Sequence, residues 1–184
     1  MIKQIIDLDH SIEQYIYLHR YNGADNFLRW ATSHATYISF ILLLLLIIAF
    51  FFNKKQIYLY AAANALIVNG ITALITALLK IGVARLRPYE IDNLIATPLI
   101  DSGGYSFPSG HTTEVFALFF TISLILRKSY FSILFLIWAI LIAYSRMAFG
   151  VHYPLDILGG MTISGLSVWL WLKYEPLKRW FSKV

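Results

Sequence analysis

Ile38-Ser-Phe-Ile-Leu-Leu-Leu-Leu-Leu-Ile-Ile-Ala-Phe-Phe-Phe52 carries no polar side chain after Ser39, and Asn53-Lys-Lys-Gln56 closes it with a polar turn. Counted from the apolar approach at Phe27, the run exceeds the about 20 residues that an α-helix needs to cross a bilayer. It is read as a first membrane span. Composition agrees: of 184 residues, 59% are apolar and 14% charged, and the mean hydropathy of +0.66 exceeds what a soluble domain of this size uses. The length suits one domain. The chain has no cysteine, which excludes disulfides, thiolate catalysis and Cys-ligated metal. In such a chain the formal charge of +5 reflects topology and anionic lipid before nucleic acid. No short apolar core with a small-residue cleavage site opens the sequence, so no removable signal peptide is expected.

Working outward, residues 1–22 do not form a span. Ile2, Ile5, Ile6, Ile12, Tyr15, Ile16 and Tyr17 alternate with Lys3, Asp7, Asp9, Glu13 and Arg20 at roughly helical spacing. That pattern predicts an amphipathic helix with one wet face, lying in the membrane interface or packed on other protein. Further spans are expected at about 57–79, 110–127, 130–149 and 155–172, after the first at about 27–52. The expected fold is an all-α integral membrane bundle, one domain over 1–184, of about five transmembrane helices. Asn64, Asn69 and Thr72 should face other helices, and Gly160 with Ser164 should permit close helix contact. Five spans place the N-terminus, the 80–111 region and the 146–156 region on one membrane face. Lys54, Lys55, Arg127, Lys128 and the basic C-terminal segment fall on the other, which the positive-inside rule assigns to the cytoplasm.

Polar residues gather at the outer span ends: Lys80, Arg87, His111, Glu114, Arg146, His152 and Asp156. Ionisable groups there are costly, and a cluster of them is a functional hypothesis. Tyr105-Ser-Phe-Pro-Ser-Gly-His111 reads as a helix start, with Ser109 as N-cap and His111 in the first turn. Such a start offers free N–H groups and a positive dipole end to an anion. Lys80, Arg87 and Arg146 add the charges of a phosphate pocket. His152 and Asp156 flank Pro154, close enough for the carboxylate to hold an imidazole whose free nitrogen could attack phosphorus. A second imidazole could protonate the leaving oxygen. No carboxylate cluster for two metals is visible, so the cations would stabilise charge in place of metal.

Lys80-x6-Arg87-Pro88, Pro108-Ser-Gly-His111 and Ser145-Arg146-x5-His152-x3-Asp156 resemble, in order, the three-part signature of the type-2 phosphatidic acid phosphatase superfamily, in its small bacterial form. The resemblance implies a phosphohistidine on His152 oriented by Asp156, with His111 as general acid. It further implies phosphoryl binding by Lys80, Arg87, Arg146, Ser109 and the Gly110 amide, with no metal and no cofactor. The implied partners are the bilayer and a lipid phosphate, not nucleic acid. The implied setting is the bacterial inner membrane with the site on its extracytoplasmic face. Candidate substrates are an isoprenyl diphosphate, phosphatidylglycerol phosphate, phosphatidate and lipid A phosphate.

Alternatives stay open. The same intermediate could serve phosphotransfer to another lipid, the cations alone could serve a binder or transporter, and bound vanadate would give peroxidase chemistry. Glu114 either pairs with a motif cation or favours the helix dipole. Arg85 touches substrate or faces headgroups, the second being preferred. Tyr105 and Phe107 line a lipid entrance or a wall of the fold. Asp101 belongs to an acidic loop at 89–105, and Trp180 to a C-terminal interfacial anchor.

Overall fold

The computed structural model describes residues 2–95, 100, 102–127, 129–174, 177 and 181. Asp101 and Trp180 lie outside the described residues. Among the described residues eight α-helices follow one another: α1 Ile2–His19, α2 Asp25–Ser33, α3 Ala35–Asn53, α4 Gln56–Val83, the short α5 Pro88–Ile91, α6 Gly110–Leu126, α7 Ser129–Ala148 and α8 Pro154–Tyr174. The protein is an integral membrane helical bundle. Ala35–Asn53, the stretch Gln56–Ile91 and Pro154–Tyr174 are long and apolar enough to cross a membrane, and Gly110–Leu126 and Ser132–Ala148 are shorter apolar helices.

α6 is the axis of the bundle, packed against α3, α4, α7 and α8. Between apolar helices in lipid, association rests on close backbone approach and interhelical hydrogen bonds rather than on escape from water. Both devices are present. A Cβ on Gly160 would lie 2.9 Å from Thr113 Oγ1 and 3.0 Å from the Ser109 carbonyl oxygen, so only glycine lets α8 press this close to the start of α6. One turn on, the Ser164 hydroxyl donates to the Thr113 carbonyl at 2.7 Å. Asn64, fully buried, accepts from Trp171 Nε1 at 2.7 Å and so ties α4 to α8.

The stretch read as one span over 27–52 is two helices. α2 ends at Ser33 and α3 starts at Ala35, with His34 between them donating its backbone N–H to the Trp30 carbonyl at 3.0 Å. The break lets α2 pack beside α7 and brings Thr32 to the site described below. α3, α4 and α6 end on the left-handed residues Lys54, Ala84 and Arg127. No glycine marks these ends, although only glycine adopts that conformation without steric cost.

α1 is amphipathic, with Asp9 and Glu13 facing inward and Asp7 exposed. Ile2, Ile5, Ile6, Leu8 and Ile12 are exposed, while Asp9 and Glu13 are buried against the bundle. Gln14 adds a hydrogen bond from its side-chain amide to Asp92. Where lipid is the solvent, the outer face of a helix can be the apolar one, and the expected wet face has become the protein face.

Glu13 is 1% exposed, and among the described residues neither carboxylate oxygen meets a hydrogen-bond partner. Burial first, and then the charges of Asp92, Asp9 and Asp156, push its pKa up to about 8. The folded chain therefore holds a proton that the unfolded chain releases at its ordinary value, so folding stability falls as pH rises between those two points. Each unit of separation corresponds to about 1.4 kcal/mol. Glu13→Gln keeps the protonated shape and cannot ionise. In detergent melts, the wild type is expected to lose thermal stability between pH 6 and 9 and Glu13→Gln to stay flatter and melt higher at pH 9. Parallel curves would sink this reading of Glu13.

Candidate active site

The Tyr105–His111 stretch closes onto the start of α6 as its sequence suggests. Ser109 is the N-cap: its Oγ accepts from the Thr112 amide at 3.5 Å and from the Thr112 hydroxyl at 2.9 Å. The Ser109 hydroxyl proton is left to donate elsewhere. Its backbone N–H donates to the Asp156 carbonyl at 3.1 Å, joining the first turns of α6 and α8. The Gly110 and His111 amides belong to the first turn, which has no intrahelical carbonyl to bind.

The cations converge, though not along one helix. α4 stops at Val83, and left-handed Ala84 turns the chain so that Arg87 caps the short α5. Arg87 Nε and Nη2 donate to the Gly104 and Gly103 carbonyls, each at 2.8 Å, and Nη1 donates to the Val151 carbonyl at 2.9 Å. Lys80 donates to the Tyr105 carbonyl. Arg146, 4% exposed near the end of α7, donates from Nη1 to Thr32 Oγ1 at 3.0 Å and from Nη2 to Ser102 Oγ at 2.9 Å. Both arginines are thus held in fixed forks, the geometry that suits tetrahedral oxyanions.

Gly150, left-handed at φ +69°, ends α7 and turns the chain to His152. His152 Nε2 lies 3.3 Å from Arg87 Nη1. A guanidinium can only donate, so Nε2 must present its lone pair and the ring proton sits on Nδ1. Nδ1 faces Asp156 Oδ2 at 3.4 Å, long for a hydrogen bond. The same Oδ2 accepts from the Tyr153 amide at 2.9 Å. Burial, and then the charges of Arg146, Arg87, Lys80 and His111, hold the His152 imidazole well below its ordinary pKa. It is neutral at physiological pH, with the lone pair turned toward the cations.

His152 therefore has Lys80, Arg87, His111 and Arg146 within electrostatic reach, Asp156 behind it, and Ser109 tied to Asp156 through the backbone. All eight residues singled out from the sequence lie in one region. Chemically the arrangement offers a neutral imidazole nucleophile, a second imidazole and a cationic cradle around an anion.

Other residues have different places from those expected. Arg85 does not face headgroups: Nη1 donates to Asp156 Oδ1 at 2.8 Å and Nη2 to Asp9 Oδ2 at 2.5 Å. Glu114 accepts from the Thr36 hydroxyl of α3 at 2.7 Å. Phe107 packs against Gly159 as part of the wall. Asp9, Thr32 and Ser102 belong to the site's support and were not singled out for it.

A family model described as the PAP2 superfamily matches residues 57–180. The chain is 34% identical to the lipid A 4'-phosphatase of Bacteroides thetaiotaomicron over 116 residues, 60% of this chain and 52% of that protein. It is 34% identical to the undecaprenyl-diphosphatase of Sulfolobus acidocaldarius over 105 residues, 54% of this chain and 50% of that protein. The chain thus spans about half the length of these relatives. The crystal structure of a transmembrane PAP2-type phosphatidylglycerolphosphate phosphatase from Bacillus subtilis superposes with a TM-score of 0.75 at 23% identity, over 94% of this chain and 86% of that one, which shows a shared fold. The matched region holds all three charged motifs and the helices that carry them, and the chain belongs to the PAP2 superfamily.

Proposed function

We propose that this chain is a membrane phosphatase that hydrolyses a phosphomonoester or diphosphate headgroup of a lipid through a phosphohistidine on His152. The observation that carries the reading is the buried His152 imidazole, its Nε2 3.3 Å from Arg87 and its Nδ1 turned to Asp156 at 3.4 Å, with Lys80 and Arg146 within electrostatic reach. His152 Nε2 attacks phosphorus, the bond to the leaving oxygen breaks, and His111 gives that oxygen its proton. Water then attacks the phosphorus of the P–N bond while His111 takes a proton back, and inorganic phosphate leaves. The three cations, the Ser109 hydroxyl and the Gly110 amide hold the non-bridging oxygens throughout.

A lipid substrate is supported by a cavity of about 520 Å³ between α3, α4 and α6, with Lys80 and Gly110 among its lining residues. Phe40 and Leu66 also line it and are exposed on the bundle's outer surface, so an acyl or isoprenyl chain could leave sideways into the bilayer. The relatives' names point the same way, to lipid A, undecaprenyl diphosphate and phosphatidylglycerolphosphate. Lys54, Lys55 and Arg127 sit at helix ends away from the site, which supports a bacterial inner-membrane enzyme with its site on the extracytoplasmic face.

The test is phosphate release by the purified protein from phosphatidate, phosphatidylglycerol phosphate, undecaprenyl diphosphate and lipid A in detergent, with and without chelator. At least one lipid is expected to be hydrolysed, at a rate the chelator leaves unchanged. Loss of activity on chelation would overturn the metal-free chemistry. Label that moves to a second lipid, rather than to inorganic phosphate, would make the enzyme a phosphotransferase.

A further inference from the structure

We infer that Asp9 of the N-terminal helix is a positioning residue for His152, acting through Arg85 and Asp156. The inference rests on the reading of His152 as the nucleophile. Arg85 is a bridge: one guanidinium nitrogen donates to Asp156 Oδ1 at 2.8 Å and the other to Asp9 Oδ2 at 2.5 Å. Asp156 and Asp9 are both almost fully buried, and Arg85 is mostly so. The other Asp9 oxygen accepts from the Leu155 amide at 2.8 Å, in the first turn of α8 next to Asp156 itself. Asp9 thus holds the carboxylate behind His152 in two ways, through the guanidinium and through the backbone that carries it. The Tyr153 ring completes the link. Arg85 Cζ lies 3.8 Å from its centroid, and His10 of α1 stacks on it at 4.6 Å between centroids.

Charge gives the arrangement its consequence. A single guanidinium shared by two carboxylates leaves the buried trio with one net negative charge, and Asp156 keeps enough of it to draw the Nδ1–H of His152. Without the Asp9 carboxylate, Arg85 is paired with Asp156 alone. Asp156 is then a poorer acceptor, and the Nε2 lone pair of His152 becomes less basic and less nucleophilic. Around His152 itself stand Lys80 of α4, Arg87 at α5, His111 of α6, Arg146 of α7 and Asp156 of α8. Asp9 is the contribution of α1, made at one remove.

The experiment compares wild type, Asp9→Asn, Asp9→Glu, Arg85→Lys, Arg85→Gln, Asp9→Asn with Arg85→Gln, and His152→Ala, all full-length in detergent. Radiolabelled phosphatidate is the probe for turnover and for label trapped on the protein. Nitrogen-15 histidine spectra, with the His152 signals assigned by their loss in His152→Ala, report the same imidazole without turnover. Asp9→Asn is expected to lower kcat by roughly ten- to a hundredfold, the scale seen for outer-shell partners of reactive groups. KM should stay within about twofold, the acid limb of the kcat profile should move to lower pH, and the His152 resonances should shift. Asp9→Glu should recover part of the rate. Asp9→Asn should slow Arg85→Gln by less than it slows the wild type, because part of its effect runs through Arg85.

Unchanged kcat, acid limb and His152 resonances in Asp9→Asn would overturn the inference, as would a change in KM alone. Should Asp9→Asn fail to fold, Arg85→Gln decides, since a neutral amide carries no charge for the two carboxylates to share. Wild-type rate and spectra in Arg85→Gln would overturn it equally. The His152→Ala arm separates the two levels. If that variant still takes up label on histidine, the nucleophile reading itself fails. If it takes up none while the Asp9 variants behave as wild type, only the role of Asp9 fails.

Discussion

His152→Ala is expected to abolish phosphate release, by at least about 10⁴-fold, and to leave no acid-labile, base-stable label on the protein after brief exposure to radiolabelled lipid phosphate. The size follows from what the side chain is proposed to do. Covalent catalysis divides one slow displacement into two, and removing the attacking nitrogen removes the first of them altogether. Binding should survive better than turnover, because Lys80, Arg87 and Arg146 are anchored independently of the imidazole. Arg87 holds three backbone carbonyls, and Arg146 holds Thr32 and Ser102. The variant should therefore still be competed by inorganic phosphate or vanadate with near wild-type affinity. A variant that keeps more than a few per cent of wild-type release, while remaining monodisperse and folded, would falsify the phosphohistidine route.

The parts of this site legible in the sequence were those fixed by local geometry. Ser109 at the edge of an apolar run can be read as a cap, and Asn64 within a span can be read as facing protein, because each rule concerns one helix and its surroundings. The support behind the nucleophile was hidden for the opposite reason. Asp9 and Leu155 meet across nearly the whole chain, as do Thr32 and Arg146 across much of it. No periodicity records such a pairing. α1 shows the difficulty most clearly. Its spacing gives an amphipathic stripe, but not which stripe faces the protein, and in a bilayer the polar one can be buried. Arg85 stood inside a recognised motif and was still misplaced, because its partner Asp9 lay on that reversed face. The break at His34 was invisible for a simpler cause: no glycine or proline marks it.

His111→Ala should separate the two chemical steps. His111 sits in the first turn of α6, beside Gly110, which lines the cavity between α3, α4 and α6, and within electrostatic reach of His152. As the acid for a poorly leaving lipid alkoxide, its loss is expected to slow lipid hydrolysis by roughly 10²- to 10⁴-fold. An aryl phosphate such as p-nitrophenyl phosphate leaves without a proton, so its attack by His152 should be nearly spared. The second step has no such relief, because water must still be deprotonated before it attacks the phosphohistidine. The variant should consequently show a burst of p-nitrophenol close to one per active site, followed by a slow steady state, with label accumulating on the protein. Lipid substrate under the same conditions should give neither burst nor label. Equal slowing of the aryl and lipid substrates, with no burst from either, would mean that His111 is needed to bind the phosphoryl group rather than to move the proton. The acid would then have to be sought elsewhere along that cavity, where Glu114, half-buried one turn further into α6 and bonded to Thr36, is the next ionisable side chain.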